Sequence, residues 1–569
     1  MSSIPKLVHS IIKKNNICTV FGYSGGSIMP IIDTLYKDKI KLIVNSNEQC
    51  VGHSATAYSK TSNKTGVALV TSGPGITNII TPMLDATQDS TPLVVISGQV
   101  SLDAVGTNAF QEAPAVDLTK YATKWSYQIK ENDDVSYILN KAFYIANDKK
   151  KGSVHIDIPK CIMKKTDYKE TNYKKNIINY KKYDYTKIIK LINNSKKPLF
   201  IVGKGCIPAY KLLRDISKKG NIPVTSTIHG CGVINETDKL SLGWCGMHGT
   251  EVSNYCIQKS DCIINIGSRF DDRITGNIKG YAPEAFKKQK NGHGGIIHVN
   301  IESSELNKVV ESKYNFNLDS NIFIKNIINH IEYKPRRAWF NYIDNLNIKY
   351  NVNNDNKTLN METVLKKLYH MTKHLNEKNK LIITTGVGNH QMQTYKYIKS
   401  HYPGTIYSSG SLGVMGCGLP YSIGAKLANP EKTVILVDGD SSFNMTSSDL
   451  KTIVENNIPV KIIIMNNKSQ MMVQAWEQLF FDNRITATEN KRNPDFVKLG
   501  ESYGVKSISC SDNNNLRNTI RFLLSYRGPI LCEFKINKDI CFPIVPPGNN
   551  LDKMIHCKDE LFNNGEAPS

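Results

Sequence analysis

Two polar turns that each follow an apolar run carry residue types suited to binding a metal ion. Asp440 follows the β-branched run 434–437, and Asn467 follows the run 460–465. Apolar residues at helical spacing lie between the runs, so the segment is predicted to form a βαβ unit. Its parallel strands end at one sheet edge, which would place Asp440 beside Asn467. Either turn alone is more simply a surface turn, but carboxylate and amide oxygens together predict a site for Mg²⁺ and a diphosphate.

A single carboxylate, Glu48, follows the predicted strand 41–45. A lone glutamate at a strand end is usually exposed and without a role. The strand ends near it are neutral and rich in glycine, and no cation is placed to pair with it. A carboxyl group in such a dry crevice can protonate or deprotonate a nitrogen heterocycle.

Glycine-rich turns follow other predicted strands. Residues 386–391 offer backbone N–H groups to a phosphate, although the same turn is common where no phosphate binds. The many glycines of 410–420 would let the backbone approach a ligand closely, and Met415 is either a cofactor contact or a core residue. Residues 203–205 give a weak dinucleotide signal without a complete GxGxxG motif, so hydride transfer on a Rossmann fingerprint is not predicted.

The elements that position these turns alternate between strand and helix along the whole chain. Strands that repeatedly release small and polar residues predict an α/β fold of doubly wound parallel sheets, with the site at the carboxyl edge. Runs 166–185 and 333–358 are predicted to be polar connectors. The predicted units are residues 1–165, 186–332 and 360–545, followed by a polar tail, 546–569.

The composition argues against membrane proteins and nucleic-acid-binding proteins. The 569 residues suit three domains, and no apolar run is long enough for a bilayer, so no membrane partner is predicted. The net charge of +22 comes mostly from scattered lysines without an Arg-rich, aromatic block, so nucleic-acid binding is not predicted. The 13 dispersed cysteines indicate reduced thiols. We expect a cytoplasmic location, since no signal or transit segment is visible.

Twelve stretches together resemble the thiamine-diphosphate-dependent enzymes, and specifically the acetolactate synthase (acetohydroxyacid synthase) catalytic subunits. The resemblance runs from about residue 5 to residue 548. GD followed at this distance by NN marks the whole cofactor superfamily. RFDDRITG together with Trp476 is more specific and favours acetolactate synthase over its relatives. The stretches are FGYSGG (21–26), NEQ (47–49), TSGPGITN (71–78), GTNAFQE (106–112), TSTIHG (225–230), GMHGT (246–250), RFDDRITG (269–276), TTGVGNHQMQ (384–393), GSLGVMGCGLP (410–420), DGDSSF (438–443), MNN (465–467) and VQAWE (473–477).

The resemblance implies a bound thiamine diphosphate and Mg²⁺. The pyrimidine-binding unit would be 1–165 and the diphosphate-binding unit 360–545. The metal would be held by Asp440, Asn467 and the Ser469 carbonyl, and Glu48 would promote the imino tautomer of the aminopyrimidine. Met415 would support the bent cofactor from below. The other residues implied to contact it are Gly25, Val387, Gly388, Asn389, His390, Gly413, Gly439, Ser441 and Met472.

The reaction implied is decarboxylation of pyruvate and condensation of the hydroxyethyl carbanion with a second 2-ketoacid. Its products are 2-acetolactate from pyruvate and 2-aceto-2-hydroxybutyrate from 2-ketobutyrate, in the first common step of branched-chain amino-acid biosynthesis. Gln111 and Lys124 would both be catalytic residues. Trp476 and Arg273 would select the second ketoacid. Phe110, Lys160 and Val473 would also contact substrate.

The central unit, 186–332, resembles a domain that binds FAD without a redox role. In this family the thiamine site lies between subunits, which implies a homodimer or homotetramer, with a regulatory subunit possible. The residues implied to contact the flavin are Lys150, Gly205, Ile228, His229, Gly246, Met247, His248, Arg269, Asp271, Glu302 and Asp319.

The chain departs from the family pattern at six positions. Four lie at the thiamine site and could alter rate or fit without removing an essential group, and two bear on flavin affinity. The first four are Asn47 for His, Ser24 for Pro, Ser441 for Gly and Met471 for Gly, and the others are Lys150 for Arg and Asn300 for Asp.

Two other functions are weighed against this one. A sister 2-ketoacid enzyme could be a glyoxylate carboligase, a pyruvate oxidase or a decarboxylase. Glu48 argues against the carboligase, which lacks that carboxylate, and Trp476 with Arg273 argues against the others. A catalytically silent binding subunit would have no need of Glu48, Asp440 and Asn467 together.

Overall fold

The computed structural model describes residues 3–36, 40–163, 171, 173, 181–350 and 358–557. These residues form three α/β units, each built on a six-stranded sheet in which every pairing of neighbouring strands is parallel. The predicted fold class is confirmed. Most strands are buried along their whole length, as expected when helices cover both faces of a parallel sheet.

The first unit has the strand order β2-β1-β3-β4-β6-β5. Its strands are β1 (Thr19–Gly22), β2 (Lys41–Val44), β3 (Gly66–Val70), β4 (Leu93–Gln99), β5 (Trp125–Gln128) and β6 (Ser153–Pro159). Its helices are α1 (Ile4–Lys14), α2 (Met29–Leu35), α3 (Glu48–Ser62), α4 (Pro74–Asn78), α5 (Ile80–Gln88), α6 (Ala115–Thr119), α7 (Val135–Asn147) and α8 (Lys160–Met163).

The central unit has the strand order β12-β11-β10-β7-β8-β9. Its strands are β7 (Pro198–Val202), β8 (Val224–Ser226), β9 (Ser241–Trp244), β10 (Cys262–Ile266), β11 (Gly295–Asn300) and β12 (Tyr314–Asn317). Its helices are α9 (Thr186–Asn194), α10 (Tyr210–Gly220), α11 (Glu251–Lys259), α12 (Asp272–Thr275), α13 (Pro283–Lys290), α14 (Ser320–Ile327) and α15 (Arg337–Tyr350).

The third unit has the strand order β14-β13-β15-β16-β18-β17. Its strands are β13 (Leu381–Thr385), β14 (Ile406–Tyr407), β15 (Thr433–Gly439), β16 (Lys461–Asn466), β17 (Lys506–Cys510) and β18 (Ile530–Lys535). Its helices are α16 (Met361–Glu377), α17 (Asn389–Tyr397), α18 (Gly418–Ala428), α19 (Asp440–Asn444), α20 (Leu450–Glu455), α21 (Met471–Phe480), α22 (Phe496–Ser502) and α23 (Leu516–Ser525).

The first and third units pack directly on each other through α3 and α18. A Cβ on Gly424 would lie 2.0 Å from the carbonyl oxygen of Ser54, so only glycine permits this close approach of the helices. Beside them, the buried carboxylate of Asp449 accepts from the side chain of Asn45 at 2.8 Å and from the backbone of Ser46 at 2.9 Å. The two units therefore share one packed interface within a single chain.

The prediction of a connector at 333–358 is wrong for its first part, because α15 packs on the central unit. Trp339 is buried and its indole donates to the Pro198 carbonyl at 3.2 Å. The guanidinium of Arg336 donates to the carbonyls of Ile192 and Ser195, each at 3.1 Å. Residues 351–357 and most of the predicted connector 166–185 lie outside the described residues.

The prediction of a polar tail after residue 545 is also wrong as far as residue 557. Leu551 is fully buried in the core of the central unit, and Ile544 pairs with Ile555 in an antiparallel bridge. Apolar side chains spaced among polar residues hold this segment against the central unit. Residues 558–569 lie outside the described residues. None of the described helices is long and apolar enough to cross a membrane.

Candidate functional site

Strands β15 and β16 place Asp440 and Asn467 at one edge of the third sheet. The strands are direct neighbours, with Gly439 opposite Met465 in a parallel register. Asp440 begins α19 immediately after β15, and Asn467 follows β16. Both side chains are buried. The two residues thus lie side by side, as the βαβ pattern predicts.

A cleft of about 50 Å³ opens at this edge. It brings together most of the residues predicted to contact the diphosphate and the metal. Those residues are Val387, Gly388, Asn389, His390, Met415, Gly439, Asp440, Ser441, Asn467, Ser469 and Met472, and the predicted substrate residue Val473 also lines the cleft. The cleft is also lined by residues not predicted to contact the cofactor, namely Met361, Ser442, Met465, Gln470 and Met471.

Two asparagines that the sequence analysis missed hold the carboxylate of Asp440. Its Oδ2 accepts from Nδ2 of Asn490 at 2.8 Å and from Nδ2 of Asn493 at 2.6 Å. Burial raises the pKa of Asp440, and the two amides act in the opposite direction by stabilising the charged form. Asn490 also donates to the hydroxyl of Ser441 at 2.6 Å, so this departure from the family pattern takes part in the same network.

The turn after β16 is shaped by its own side chains. Oδ1 of Asn467 accepts from the backbone N–H of Ser469 at 3.1 Å, and Lys468 has a positive φ of 55°. The segment around Thr488 fixes this turn, because the backbone N–H of Gln470 donates to the Thr488 carbonyl at 2.8 Å. The fixed backbone presents the Ser469 residue to the cleft.

The donor set of the cleft suits Mg²⁺ and a polar ligand. Among the described residues no three His, Cys, Asp or Glu side chains converge as ligands for a metal. The available donors are a carboxylate, an amide oxygen and a carbonyl, which are oxygen ligands of the kind Mg²⁺ takes. Buried Asp438 lies 3.2 Å from Nε2 of His390, and its Oδ2 has no hydrogen-bond partner among the described residues. Asp438 itself does not line the cleft, so the donors that fit a hard cation there are those of Asp440, Asn467 and Ser469.

Glu48 lies at the carboxyl edge of the first sheet, as the first residue of α3. It is 7% exposed, and its Oε2 accepts from Nδ2 of Asn78 at 3.0 Å. Asn47 is the N-cap of α3, since its Oδ1 accepts from the backbone of Cys50 at 2.9 Å. Asparagine at this departure from the family pattern therefore has a structural role. Neither Glu48 nor Gly25 lines the cleft that contains Asp440.

The turn that contains Ser24 and Gly25 packs on the turn after β3. A Cβ on Gly25 would lie 2.4 Å from the side chain of Thr71. The hydroxyl of Ser27 is 2.9 Å from that of Thr71 and accepts from the backbone of Ser72 at 2.9 Å. These contacts fix the two turns against each other beside Glu48.

The loop that contains Phe110 and Gln111 lies at the same edge. Phe110 is 89% exposed, and Gln111 adopts a positive φ of 62°. A Cβ on Gly73 would lie 2.9 Å from the carbonyl oxygen of Gln111, so the loop rests closely on the turn after β3. Lys160 begins α8 at the carboxyl end of β6 and is exposed. These three predicted substrate residues therefore share one edge of the first sheet.

Lys124 lies at the opposite edge, so the structure does not bring it to Phe110 and Gln111. Its backbone pairs with Ser153 at the amino end of β6. Its ammonium group donates to the carbonyls of Ile145 at 2.5 Å and Asp148 at 2.7 Å. Burial lowers the pKa of Lys124 to about 8. In the described chain these contacts make it a structural lysine near the central unit.

The residues predicted to select the second ketoacid lie in different units. Val473 and Trp476 belong to α21, where Val473 is 52% exposed and Trp476 packs edge-on against Phe480 at 5.5 Å. Arg273 belongs to α12 of the central unit, and its guanidinium lies 2.9 Å from Sδ of Met247. Arg273 and its neighbour Asp272 are largely exposed.

Apart from Lys150, the residues predicted to contact a flavin lie in the loops that follow the six strands of the central sheet. They are Gly205 after β7, Ile228 and His229 after β8, Gly246, Met247 and His248 after β9, Arg269 and Asp271 after β10, Glu302 after β11, and Asp319 after β12. The sheet therefore gathers them at its carboxyl edge, where ligands of open α/β sheets bind.

Buried polar atoms without partners indicate that a polar ligand fits this edge. Among the described residues these include Oγ of Ser226, Nδ1 of His248 and Oδ1 of Asp271. Burial lowers the pKa of His248 to about 4 and so keeps its ring neutral. Lys150, from the first unit, pairs with Glu305 at 2.8 Å. Asn300 donates to the Ser268 carbonyl at 3.2 Å. Lys150 and Asn300, the two residues that depart from the family pattern here, therefore both contact groups of the protein itself.

Three family models match the chain. They are described as the N-terminal TPP binding domain (residues 4–119), the central domain (residues 185–327) and the C-terminal TPP binding domain (residues 386–534) of thiamine pyrophosphate enzymes. One model therefore matches part of each of the three α/β units.

Curated relatives match over nearly the whole chain. The acetolactate synthase catalytic subunit, mitochondrial, of Saccharomyces cerevisiae is 38% identical over 98% of this chain and 84% of that protein. The probable acetolactate synthase large subunit of Methanococcus aeolicus is 35% identical over 96% of this chain and 94% of its own length. The acetolactate synthase large subunit of Cyanidium caldarium is 34% identical over 96% of both chains.

Proposed function

Because the chain belongs to the acetolactate synthase family of thiamine-diphosphate-dependent enzymes, we propose that the cleft at Asp440 and Asn467 binds the cofactor's diphosphate through Mg²⁺. The function is that of an acetolactate synthase: pyruvate loses CO₂, and the remaining two-carbon unit joins a second 2-ketoacid. The observation that carries the proposal is the parallel β15–β16 pair, which delivers a buried carboxylate and a buried amide to one cleft.

The metal would be held by Asp440, Asn467 and the backbone carbonyl of Ser469. All three are oxygen donors in a buried setting, which suits a small hard cation that retains some water. Asn490 and Asn493 fix one carboxylate oxygen of Asp440 and so limit the orientations of the ligand. The start of α17, at Gly388 and Asn389, adds backbone N–H groups that favour phosphate oxygens.

Glu48 would act on the pyrimidine ring of the cofactor. Asn78 occupies Oε2 of Glu48, so Oε1 is the oxygen that would hold a proton shared with a ring nitrogen. When bound, thiamine diphosphate supplies the electron sink that makes decarboxylation of a 2-ketoacid possible. The protein therefore has to position the two ends of the cofactor and exclude water around them.

The assembly that satisfies these roles is a homodimer or homotetramer. Glu48 and Gly25 do not line the cleft of their own chain. A cofactor that reaches both sets of residues would lie between Glu48 of one chain and Asp440 of another. The relatives' names, catalytic subunit and large subunit, support a further regulatory subunit.

The central unit would bind FAD without using it for redox chemistry. Its six loops and their unpartnered buried atoms support a polar ligand there. Phe110, Lys160 and Val473 would contact the ketoacid, and Gln111 would act as a catalytic residue. Trp476 and Arg273 would select the second ketoacid. The cytoplasmic location stays a prediction, since the fungal relatives are named mitochondrial.

The test is product formation by the purified chain with thiamine diphosphate, Mg²⁺ and pyruvate. We expect release of CO₂ and formation of 2-acetolactate. Glu48→Gln should lower kcat by roughly 10²-fold to 10⁴-fold, the usual contribution of a positioned proton-transfer group, with cofactor affinity largely kept. The matched control is Glu455→Gln, which removes an exposed carboxylate of α20. Bound cofactor without acetolactate or CO₂ would overturn the proposal.

A further inference from the structure

A cluster of buried charges joins the three units outside the cleft. We call it the α5 cluster and define it as Asp85, Asp89, Lys60, Lys204 and His229. Asp85 and Asp89 lie one helical turn apart at the end of α5, and both carboxylates are fully buried. None of the five residues lines the cleft that contains Asp440.

The two carboxylates hold a loop of the third unit, residues 409–415. Oδ1 of Asp85 accepts from the hydroxyl of Ser409 at 2.6 Å. Asp89 accepts from the backbone N–H groups of Gly410 at 3.2 Å and Ser411 at 3.0 Å. The loop ends at Met415, which lines the cleft. Both aspartates therefore act on backbone that leads directly into the proposed cofactor site.

Ser409 carries the contact further along the loop. Its hydroxyl oxygen accepts from the backbone N–H groups of Gly413 at 3.1 Å and Val414 at 3.0 Å. Gly413 has a positive φ of 74°. Because glycine can adopt many backbone conformations, these hydrogen bonds help to select this one. The chain of bonds from Asp85 through Ser409 thus sets the turn at Gly413, one of the residues implied to contact the thiamine cofactor.

Basic side chains from two units surround Asp89. Nζ of Lys60 in α3 lies 2.7 Å from Oδ2 and also donates to the Ser408 carbonyl at 2.9 Å. Nε2 of His229 in the central unit lies 3.0 Å from Oδ1. Burial alone would raise the pKa of Asp89, but the charges of His229 and Lys60 hold it well below its usual range. Nζ of Lys204 donates to the backbone carbonyl of Asp89 and, at 2.8 Å, to the hydroxyl of Thr91.

The central unit makes a second contact with the same loop through Arg269. Its guanidinium donates to the hydroxyl of Ser411 at 2.8 Å and to Oε1 of Gln88 at 3.3 Å. His229 and Arg269 are also two of the residues proposed to contact the flavin. Two of the groups that would hold a ligand in the central unit therefore also contact loop 409–415 and α5.

We infer that Asp85 and Asp89 are positioning residues that fix loop 409–415 for the thiamine cofactor, and that Asp89 couples this loop to the central unit through His229. The inference rests on the proposed function for the identity of the two cofactors. A flavin that orders His229 and Arg269 would order the loop as well and tighten thiamine diphosphate binding. By linkage, thiamine diphosphate must then tighten flavin binding by the same factor.

The test is the Kd for thiamine diphosphate, measured on the full chain with Mg²⁺ by titration calorimetry, with and without FAD. In the wild type we expect FAD to lower this Kd by about fivefold or more, within the usual range of coupling between two sites. In Asp89→Asn we expect a Kd about tenfold higher, because the amide keeps the volume but loses the charge that Lys60 and His229 face. The effect of FAD should also disappear.

Two variants keep the inference testable if Asp89→Asn does not fold. Ser409→Ala removes only the hydroxyl between Asp85 and the turn at Gly413, and should raise the Kd for thiamine diphosphate about threefold to tenfold. His229→Gln keeps a donor near Asp89 and should lose the effect of FAD on the Kd for thiamine diphosphate, measured at FAD concentrations that saturate the variant. The control is Asp33→Asn, an exposed carboxylate of α2, which should match the wild type throughout.

The outcomes separate this inference from the proposed function. Wild-type Kd values in Ser409→Ala and an unchanged FAD effect in His229→Gln would overturn the inference, even if acetolactate forms. Changed Kd values would support it even if the second ketoacid proves different, since cofactor binding is measured without turnover. A lowered melting temperature with unchanged Kd values would show a merely structural role and would also overturn it.

Discussion

Nδ2 of Asn493 lies 2.6 Å from Oδ2 of Asp440, although the two residues are 53 positions apart. Asn490 reaches the same oxygen at 2.8 Å, so one carboxylate oxygen is held by two amides. The proposed metal ligand is thus oriented by a loop that has no metal-binding signal of its own.

Asn493→Ala should weaken Mg²⁺ binding by about 10-fold to 100-fold, the usual cost of removing a group that orients a metal ligand. The measurement is the Mg²⁺ concentration that half-saturates thiamine diphosphate binding. Asn326→Ala, an exposed asparagine of α14, is the matched control. An Asn493→Ala protein with wild-type Mg²⁺ dependence would show that the amide has no part in holding Asp440.

Asn47→Ala should loosen the start of α3, because the cap to the backbone of Cys50 is lost. We expect a cost of about 1 kcal/mol, the usual value for an N-cap asparagine. Hydrogen exchange at the Cys50 amide should become faster and the melting temperature lower. Asn47→Asp keeps an acceptor at the same place and should restore both; slow exchange in the alanine variant would contradict the assignment of Asn47 as the cap.

Trp476→Leu should change the choice of the second ketoacid more than the rate of pyruvate decarboxylation. The indole offers a broad apolar surface beside Phe480 on α21, and a smaller side chain would remove it. The measurement is the ratio of 2-aceto-2-hydroxybutyrate to 2-acetolactate in a mixture of pyruvate and 2-ketobutyrate. We expect that ratio to fall by about tenfold, the effect of one to two kcal/mol in a pocket contact. Phe522→Leu, on the surface of α23, is the control.

His155 should make the folded chain less stable as the pH falls below about 6.5. Burial lowers its pKa to about 3, so between these values the unfolded chain binds a proton that the native state does not. The native ring instead lies 2.7 Å from the Ser97 hydroxyl and 3.0 Å from that of Thr119. Melting temperatures at pH 7.5, 6 and 5 should fall less in His155→Gln than in the wild type.

The control for this pH dependence is His374→Gln, because His374 is exposed on α16. Its slope of melting temperature against pH should equal that of the wild type. Parallel slopes for the wild type and His155→Gln would show that another group governs the loss of stability.

Local pattern was sufficient for the parts of the fold that depend on neighbouring residues in the sequence. Apolar runs that end in small polar residues predicted the parallel sheets and placed Asp440 beside Asn467. The apolar pattern did not predict burial that comes from contacts distant in the sequence. Residues 337–350 lie in a run that predicts a polar connector, yet Trp339 is buried in the core of the central unit and donates to the Pro198 carbonyl. The burial of the segment around Leu551 was not predicted, for the same reason.

The sequence by itself determined which residue types are available to the proposed site, through the order of Glu48, Met415, Asp440 and Asn467. Only the tertiary structure decided which groups hold them. It placed Asn490 and Asn493 on Asp440, moved Lys124 to the far edge of the first sheet, and separated Glu48 from its own chain's cleft. The physical reason is that side-chain type is written locally, whereas the distance between two groups depends on how sheets and helices far apart in the chain pack together.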